Sequence, residues 1–251
     1  PTGVFGQSLA LAAFPALAEM WAKKEKTLFH EQFLSTLRQT FFLAIPVAAL
    51  FVAITNDIIK FLYEHGKFGP EATLRVSSLL FAFGFGVPAW CALPVLTRAY
   101  FATKSTKVPV ILSSLATLVF MGLCWYITSN GLPYQWLAWV TTLVGTALVL
   151  VQWIALEKRI GKVKKAETQA TFLLSMVGGA VCGLVAWGLI RSGDALGLTH
   201  QRWASMAVTA FAGLCGAWAY YFFAVWAKMP EAQQVKRAMN RRRKKSEPPS
   251  S

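Results

Sequence analysis

The chain has 251 residues, 55% of them hydrophobic, and a formal net charge of +14. A soluble domain of this size could not bury so many apolar residues, so the composition excludes an ordinary soluble globular protein. Nucleic-acid binding is not expected from the net charge, because the basic residues lie in short loops between the apolar runs and in the tail.

Seven apolar runs follow one another along the chain, and each is long enough to cross a bilayer, which takes about 20 residues. They cover residues 1–20, 40–59, 76–96, 108–127, 132–156, 171–190 and 203–226. The link at residues 21–39 is charged and includes an amphipathic piece at 27–37. The sequence predicts an all-α polytopic membrane protein with a transmembrane lobe at residues 1–228 and a basic tail at residues 229–251.

The charges predict how the chain is oriented. If successive loops alternate between the two sides of the membrane, most Lys and Arg residues fall on the side of the tail. The other side has only Lys60, Lys67, Arg75, Arg191 and Arg202. This is the positive-inside pattern, which predicts a cytoplasmic C-terminus. With seven crossings, Pro1 is then expected at the outer face, and the chain is interpreted as the C-terminal part of a longer protein.

The first apolar run brings small and polar residues together at Gly3, Gly6, Gln7 and Ser8. Polar groups inside a membrane are costly unless they are paired or face water. These four residues are therefore predicted to line a cavity, whereas helix contacts are the favoured explanation for polar residues in the other runs.

Small residues recur at four-residue spacing in the last two runs, at Gly179 and Gly183 and at Ala212 and Gly216. This spacing allows the backbones of neighbouring helices to approach closely. Either ordinary tight packing or helix bending during transport would explain it.

A basic loop follows the third run, with Arg98, Tyr100, Lys104, Lys107 and Pro109. Arg98 has two interpretations, a side chain that snorkels to the membrane surface or part of a basic collar that attracts a phosphate-bearing substrate.

The sequence predicts neither catalysis nor a metal or other cofactor. The three histidines, His30, His65 and His200, lie on different sides of the predicted membrane, and nucleotide-binding or hydrolase motifs are absent. The four cysteines lie one per run without ligand spacing, as is typical of packing residues.

Three stretches resemble the MurJ (MviN) family of lipid II flippases. They are residues 1–6 with 15–17, residues 61–63 with 66–68, and residues 98–102 with 106–109. The third is the most distinctive, although Ser105 stands where the family commonly has Asp and Val108 where it has Thr.

The resemblance implies a fourteen-helix, two-lobed transporter of the bacterial inner membrane, of which this chain supplies most of the second lobe. The substrate would be an undecaprenyl-pyrophosphate-linked glycopeptide, moved to the outer leaflet by alternating access without covalent chemistry. Membrane lipids and the first lobe would be partners, and the membrane potential, Na⁺ or H⁺ would supply the energy. The resemblance places Gly3, Gly6 and Gln7 in the cavity wall and a lipid-tail groove between the last two helices.

Three other functions remain open on the sequence alone. A related exporter would carry another polyprenyl-linked oligosaccharide. A prenyl-phosphate transferase would need acidic residues or histidines at a membrane face. A non-transporting scaffold would act through its basic tail.

Overall fold

The computed structural model describes residues 2–64, 69–161, 166–197 and 202–233, and these form seven long α-helices without a strand. The helices are α1 (Thr2–Ala22), α2 (Lys26–Tyr63), α3 (Pro70–Ala102), α4 (Lys107–Ser129), α5 (Gln135–Ile160), α6 (Ala166–Ala195) and α7 (Arg202–Trp226). The prediction of an all-α fold is confirmed.

Six of these helices, α2 to α7, are long and apolar enough to cross a membrane, which makes the chain a multi-pass membrane protein. The first helix is not among the six helices found in the described residues. The seventh crossing expected from sequence, at residues 1–20, therefore stays a prediction.

The second helix differs most from its predicted extent. The amphipathic piece and the second apolar run form one continuous helix of 38 residues, with Pro46 in its interior. Its first third is charged but packs on neighbouring helices: Phe29 is fully buried against Trp21 of α1, and Phe33 packs on Trp153 of α5. The His30 ring Nε2 also donates to the carbonyl oxygen of Ile160 at the end of α5 (3.1 Å).

The helices run alternately up and down, with α2 at the centre. It contacts α1, α3, α6 and α7, while α5 packs on α3 and α4 lies outermost against α5. We call one end of this bundle the basic end. It comprises the turns at residues 23–25 and 103–106, the end of α5 and residues 227–233.

The start of the tail belongs to the lobe. Met229 and Ala232 are buried in a cluster with Phe42 and Tyr220, so the packed lobe continues past the predicted boundary at residue 228. The rest of the predicted tail, including the basic run at 241–245, lies outside the described residues.

A charged cluster holds the tail to the bundle at the basic end. Arg38 of α2 donates from Nη1 to Glu167 of α6 (2.8 Å), and its Nε lies 3.2 Å from Oε1 of Glu231. The Glu231 side chain is only 4% exposed. One arginine therefore connects α2, α6 and the first residues of the tail.

Candidate functional site

The first helix has one face buried in the lobe and one exposed face. The buried face carries Gly6, Ala10, Ala13 and Leu17. The exposed face carries Gln7, Ser8, Leu11, Ala12 and Pro15. Gln7 and Ser8 are therefore on a surface that points away from the packed bundle, and their position in a cavity wall stays a prediction.

Gly6 does not share that surface. A methyl group placed on Gly6 would lie 2.7 Å from the carbonyl oxygen of Cys91 in α3, which is closer than atoms can approach. The glycine therefore allows close contact between α1 and α3, and it is not on the exposed face of α1 where a cavity wall was predicted. Gly3 lies in α1, but its surroundings are not described.

Arg98 lies between two aromatic rings near the basic end. Its guanidinium carbon is 5.7 Å from the ring centre of Phe14 in α1 and 5.9 Å from that of Phe101 in α3. It is half-buried, and none of the ion pairs formed within the described ranges involves it. The described contacts of Arg98 are thus with aromatic rings and not with a carboxylate.

The other residues predicted for the basic loop fall into two groups. Lys104 and Lys107 are exposed, whereas Tyr100 and Pro109 are buried. The Tyr100 hydroxyl donates to the backbone oxygen of Gln152 in α5 (2.7 Å). Tyr100 and Pro109 are thus part of the lobe's packing and do not belong to an accessible basic surface.

The last two helices, α6 and α7, pack closely, because the residues between their backbones are small. A methyl group on Gly216 of α7 would lie 2.7 Å from the carbonyl oxygen of Cys182 in α6, and Ala212 is fully buried. Gly179 and Gly183 face α2 instead, where their nearest neighbours are Ile45 and Ala49. The predicted close approach of helices is present, but it joins two different pairs of helices.

A cavity of about 1000 Å³ opens on the side of α6 that faces away from α7. It lies between α2, α3, the first residues of α5 and α6, and Gly179 and Gly183 line it, whereas Ala212 and Gly216 do not. Its wall is mainly aliphatic and aromatic; the polar residues are Thr55, Asn56, Ser77, Ser78 and Gln135. The groove predicted between α6 and α7 stays a prediction, and this cavity between α6 and α3 is a separate apolar space.

Sequence reasoning did not identify Phe14 as a neighbour of Arg98 or the aromatic wall of the cavity. Phe81, Phe85, Trp139 and Trp187 form much of that wall. Four-residue spacing between Phe81 and Phe85 is a weak signal, because lipid-facing aromatic residues have the same spacing.

The comparisons with known proteins agree on one family. The family described as "Lipid II flippase MurJ" matches residues 1–226. The chain is 30% identical over 125 residues to "Probable lipid II flippase MurJ" of Rhizobium meliloti (strain 1021), a match covering 49% of this chain and 23% of that protein. It is 29% identical over 118 residues to "Lipid II flippase MurJ" of Thermosipho africanus (strain TCF52B), covering 47% and 24%.

A solved structure shows the same fold. It is "Lipid II flippase MurJ, inward closed conformation", with a TM-score of 0.69 and 23% sequence identity, and the match covers 91% of this chain and 44% of that one. The chain thus spans less than half of the solved relative's length. Because the family match extends over nearly the whole chain, this protein belongs to the MurJ family.

Proposed function

We propose that this chain is part of a flippase that moves lipid II, a lipid-linked peptidoglycan precursor, from the inner to the outer leaflet by alternating access. The observation that carries the proposal is the presence of two polar residues on the exposed face of α1. Gln7 and Ser8 are exposed on a helix whose opposite face is buried. Lipid would be an unfavourable neighbour for these groups, so a water-filled cavity or a second lobe is expected beside them.

The headgroup of such a substrate carries a pyrophosphate, and Arg98 fits the role of its first contact. The guanidinium lies between α1 and α3 with two aromatic neighbours, and Lys104 and Lys107 are exposed in the turn that follows. Charge-assisted hydrogen bonds from arginine to phosphate are among the strongest that proteins form. These three cations would attract the headgroup, while Gln7 and Ser8 would line its path.

The apolar cavity offers a place for part of the prenyl chain. Its volume of about 1000 Å³ and its mainly aliphatic and aromatic wall suit a branched hydrocarbon. The polar residues in the wall, such as Asn56 and Ser77, lie near the end of the bundle opposite the basic end. In this role Gly179 and Gly183 let α6 pack closely on α2 at the wall of the cavity.

The proposed orientation puts the basic end in the cytoplasm of a bacterium and the protein in its inner membrane. The lysines of that end satisfy the positive-inside rule. The first lobe would complete the cavity, and the membrane potential or a gradient of Na⁺ or H⁺ would drive the cycle. No covalent step is proposed, so the protein would act as a transporter and not as an enzyme.

Replacing both Gln7 and Ser8 with Leu is expected to reduce export at least tenfold without changing stability, since both side chains are exposed. The variant is made in the full-length parent gene and tested in cells depleted of their own flippase. Lipid II in the outer leaflet is measured by external enzymatic cleavage. Leu11→Ala, on the same exposed face, is the control and is expected to export normally. Normal export by the Gln7, Ser8 variant would remove this face from the transport path.

A further inference from the structure

Three helices terminate at the basic end of the bundle. Each is followed by the same type of turn, and a lysine stands at the same position in all three turns. After α1, α3 and α7, the backbone passes through the left-handed region at Lys24 (φ 62°), Lys104 (φ 56°) and Lys228 (φ 53°). Side chains other than glycine rarely adopt this conformation. Within the described ranges these three lysines are the only non-glycine residues with positive φ.

All three turns are Schellman motifs, in which two hydrogen bonds close the end of the helix. The N–H of each lysine donates to the carbonyl oxygen three residues earlier, namely that of Trp21 (3.1 Å), Phe101 (2.9 Å) or Val225 (3.1 Å). The N–H of the next residue donates five residues back, to Met20 (3.0 Å), Tyr100 (3.0 Å) or Ala224 (3.0 Å).

The opposite end of the bundle uses glycine at this position. Gly131 follows α4 with φ 62° and closes the same pair of hydrogen bonds, and Gly197 follows α6 with φ 71°. Glycine is the less strained choice in such a turn. The turn therefore does not explain why lysine is present in the Schellman motifs of the basic end. Gly161, which follows α5 at that end, has φ 99° but closes its helix differently, with a bond from its N–H to the carbonyl oxygen of Glu157.

The lysines lie where lipid headgroups would be. All three side chains are exposed. Trp21 precedes Lys24 by one helical turn, and Trp226, which is 74% exposed, precedes Lys228 by two residues. Tryptophan prefers the membrane–water interface, so the ammonium groups of Lys24 and Lys228 are expected at the depth of the phosphates. Lys104 has no such tryptophan, but it ends its helix at the same end of the bundle.

We propose that Lys24, Lys104 and Lys228 bind the phosphate groups of anionic phospholipids in the leaflet that the basic end faces. Charge complementarity identifies the partner: exposed ammonium groups at one end of the bundle, two of them close to a tryptophan, match a negatively charged headgroup surface. The left-handed turn fixes the direction in which each side chain leaves its helix. This inference does not depend on which lipid-linked substrate the protein carries.

Lysine near a helix C-terminus also interacts favourably with the helix dipole, so the test must separate that effect from lipid binding. We would measure the thermal unfolding midpoint of the full chain in detergent, with phosphatidylglycerol or phosphatidylcholine added. Phosphatidylglycerol is expected to raise the midpoint more. The triple variant K24G/K104G/K228G should lose at least half of this extra rise, while its midpoint in phosphatidylcholine stays the same or increases.

The matched control removes three other exposed cations near the same end, in K23Q/K26Q/K158Q, and should keep most of the extra rise. If the glycine variant fails to fold, K24N/K104N/K228N replaces it, because asparagine tolerates the left-handed region. The proposal would be overturned if phosphatidylglycerol raised the unfolding midpoint of the glycine or asparagine variant as much as that of the original protein. It would also be overturned by an equal loss in the control triple, which would indicate bulk charge, or by an equal rise with soluble glycerol phosphate, which would exclude the lipid surface.

Discussion

Gly6→Leu is expected to destabilise the full-length protein by about 3 kcal/mol, the upper part of the usual range for overpacking a core. The reason is the backbone contact between α1 and α3, where even a methyl group would lie 2.7 Å from the Cys91 carbonyl oxygen. Neither backbone can give way as a flexible side chain would, so the two helices must separate. The measurement is the thermal unfolding of the purified protein in detergent, together with export in flippase-depleted cells.

Gly122→Leu is the matched control, because a side chain added at Gly122 in α4 meets no atom within 4 Å. Its unfolding midpoint is expected to match that of the original protein or exceed it, since glycine is a poor helix former. An unchanged midpoint for Gly6→Leu combined with lost export would restore Gly6 to the cavity wall and contradict its role in helix packing.

Arg38→Met is expected to destabilise the protein by about 3 kcal/mol, as is typical when one partner of a buried ion pair is removed. The Glu231 carboxylate is 4% exposed, so the substitution leaves a buried negative charge without its cation. The first residues of the tail should then detach from α2, which limited proteolysis near Met229 would detect along with a lower unfolding midpoint.

Two further variants separate the buried pair from the exposed one. Glu167 also pairs with Arg38 but is 81% exposed, so Glu167→Gln should change stability by less than about 1 kcal/mol. Arg38→Met combined with Glu231→Leu should recover most of the lost stability, because an apolar pair avoids the buried charge. Equal effects of Arg38→Met and Glu167→Gln would show that the burial of Glu231 is unimportant.

The number and order of the helices could be predicted from sequence, because a bilayer demands about 20 apolar residues per crossing and the loops between them are charged. The extent of α2 could not. Residues 26–39 are too polar to be recognised as part of a long helix, and they are held in place by contacts with α1, α5 and α6 that sequence does not show.

The sequence also could not predict which face of α1 is buried. Almost every residue from Val4 to Leu17 is apolar or small, so the pattern has no periodicity to indicate which face is buried. Gly6 and Gln7 are adjacent in sequence, yet one contacts Cys91 and the other is exposed. The apolar cavity depends on the spacing of four helices, and no local pattern reports such a distance.

The small residues of the last two helices illustrate an intermediate case. Their spacing correctly predicted close helix contacts, because a missing side chain permits approach by any neighbour. It did not reveal the neighbour: Gly216 contacts α6, whereas Gly179 contacts α2. Only the packed structure supplies this distinction between the two neighbours.

The most direct test of the proposed function is lipid II export by the full-length parent gene in cells depleted of their own flippase. A toxin that cleaves the lipid II headgroup is added outside, and its cleavage product is measured. We expect the gene to restore cleavage to the level of undepleted cells. Absence of cleavage, with the protein verified in the membrane and folded, would contradict the proposal and favour an exporter of another polyprenyl-linked glycan.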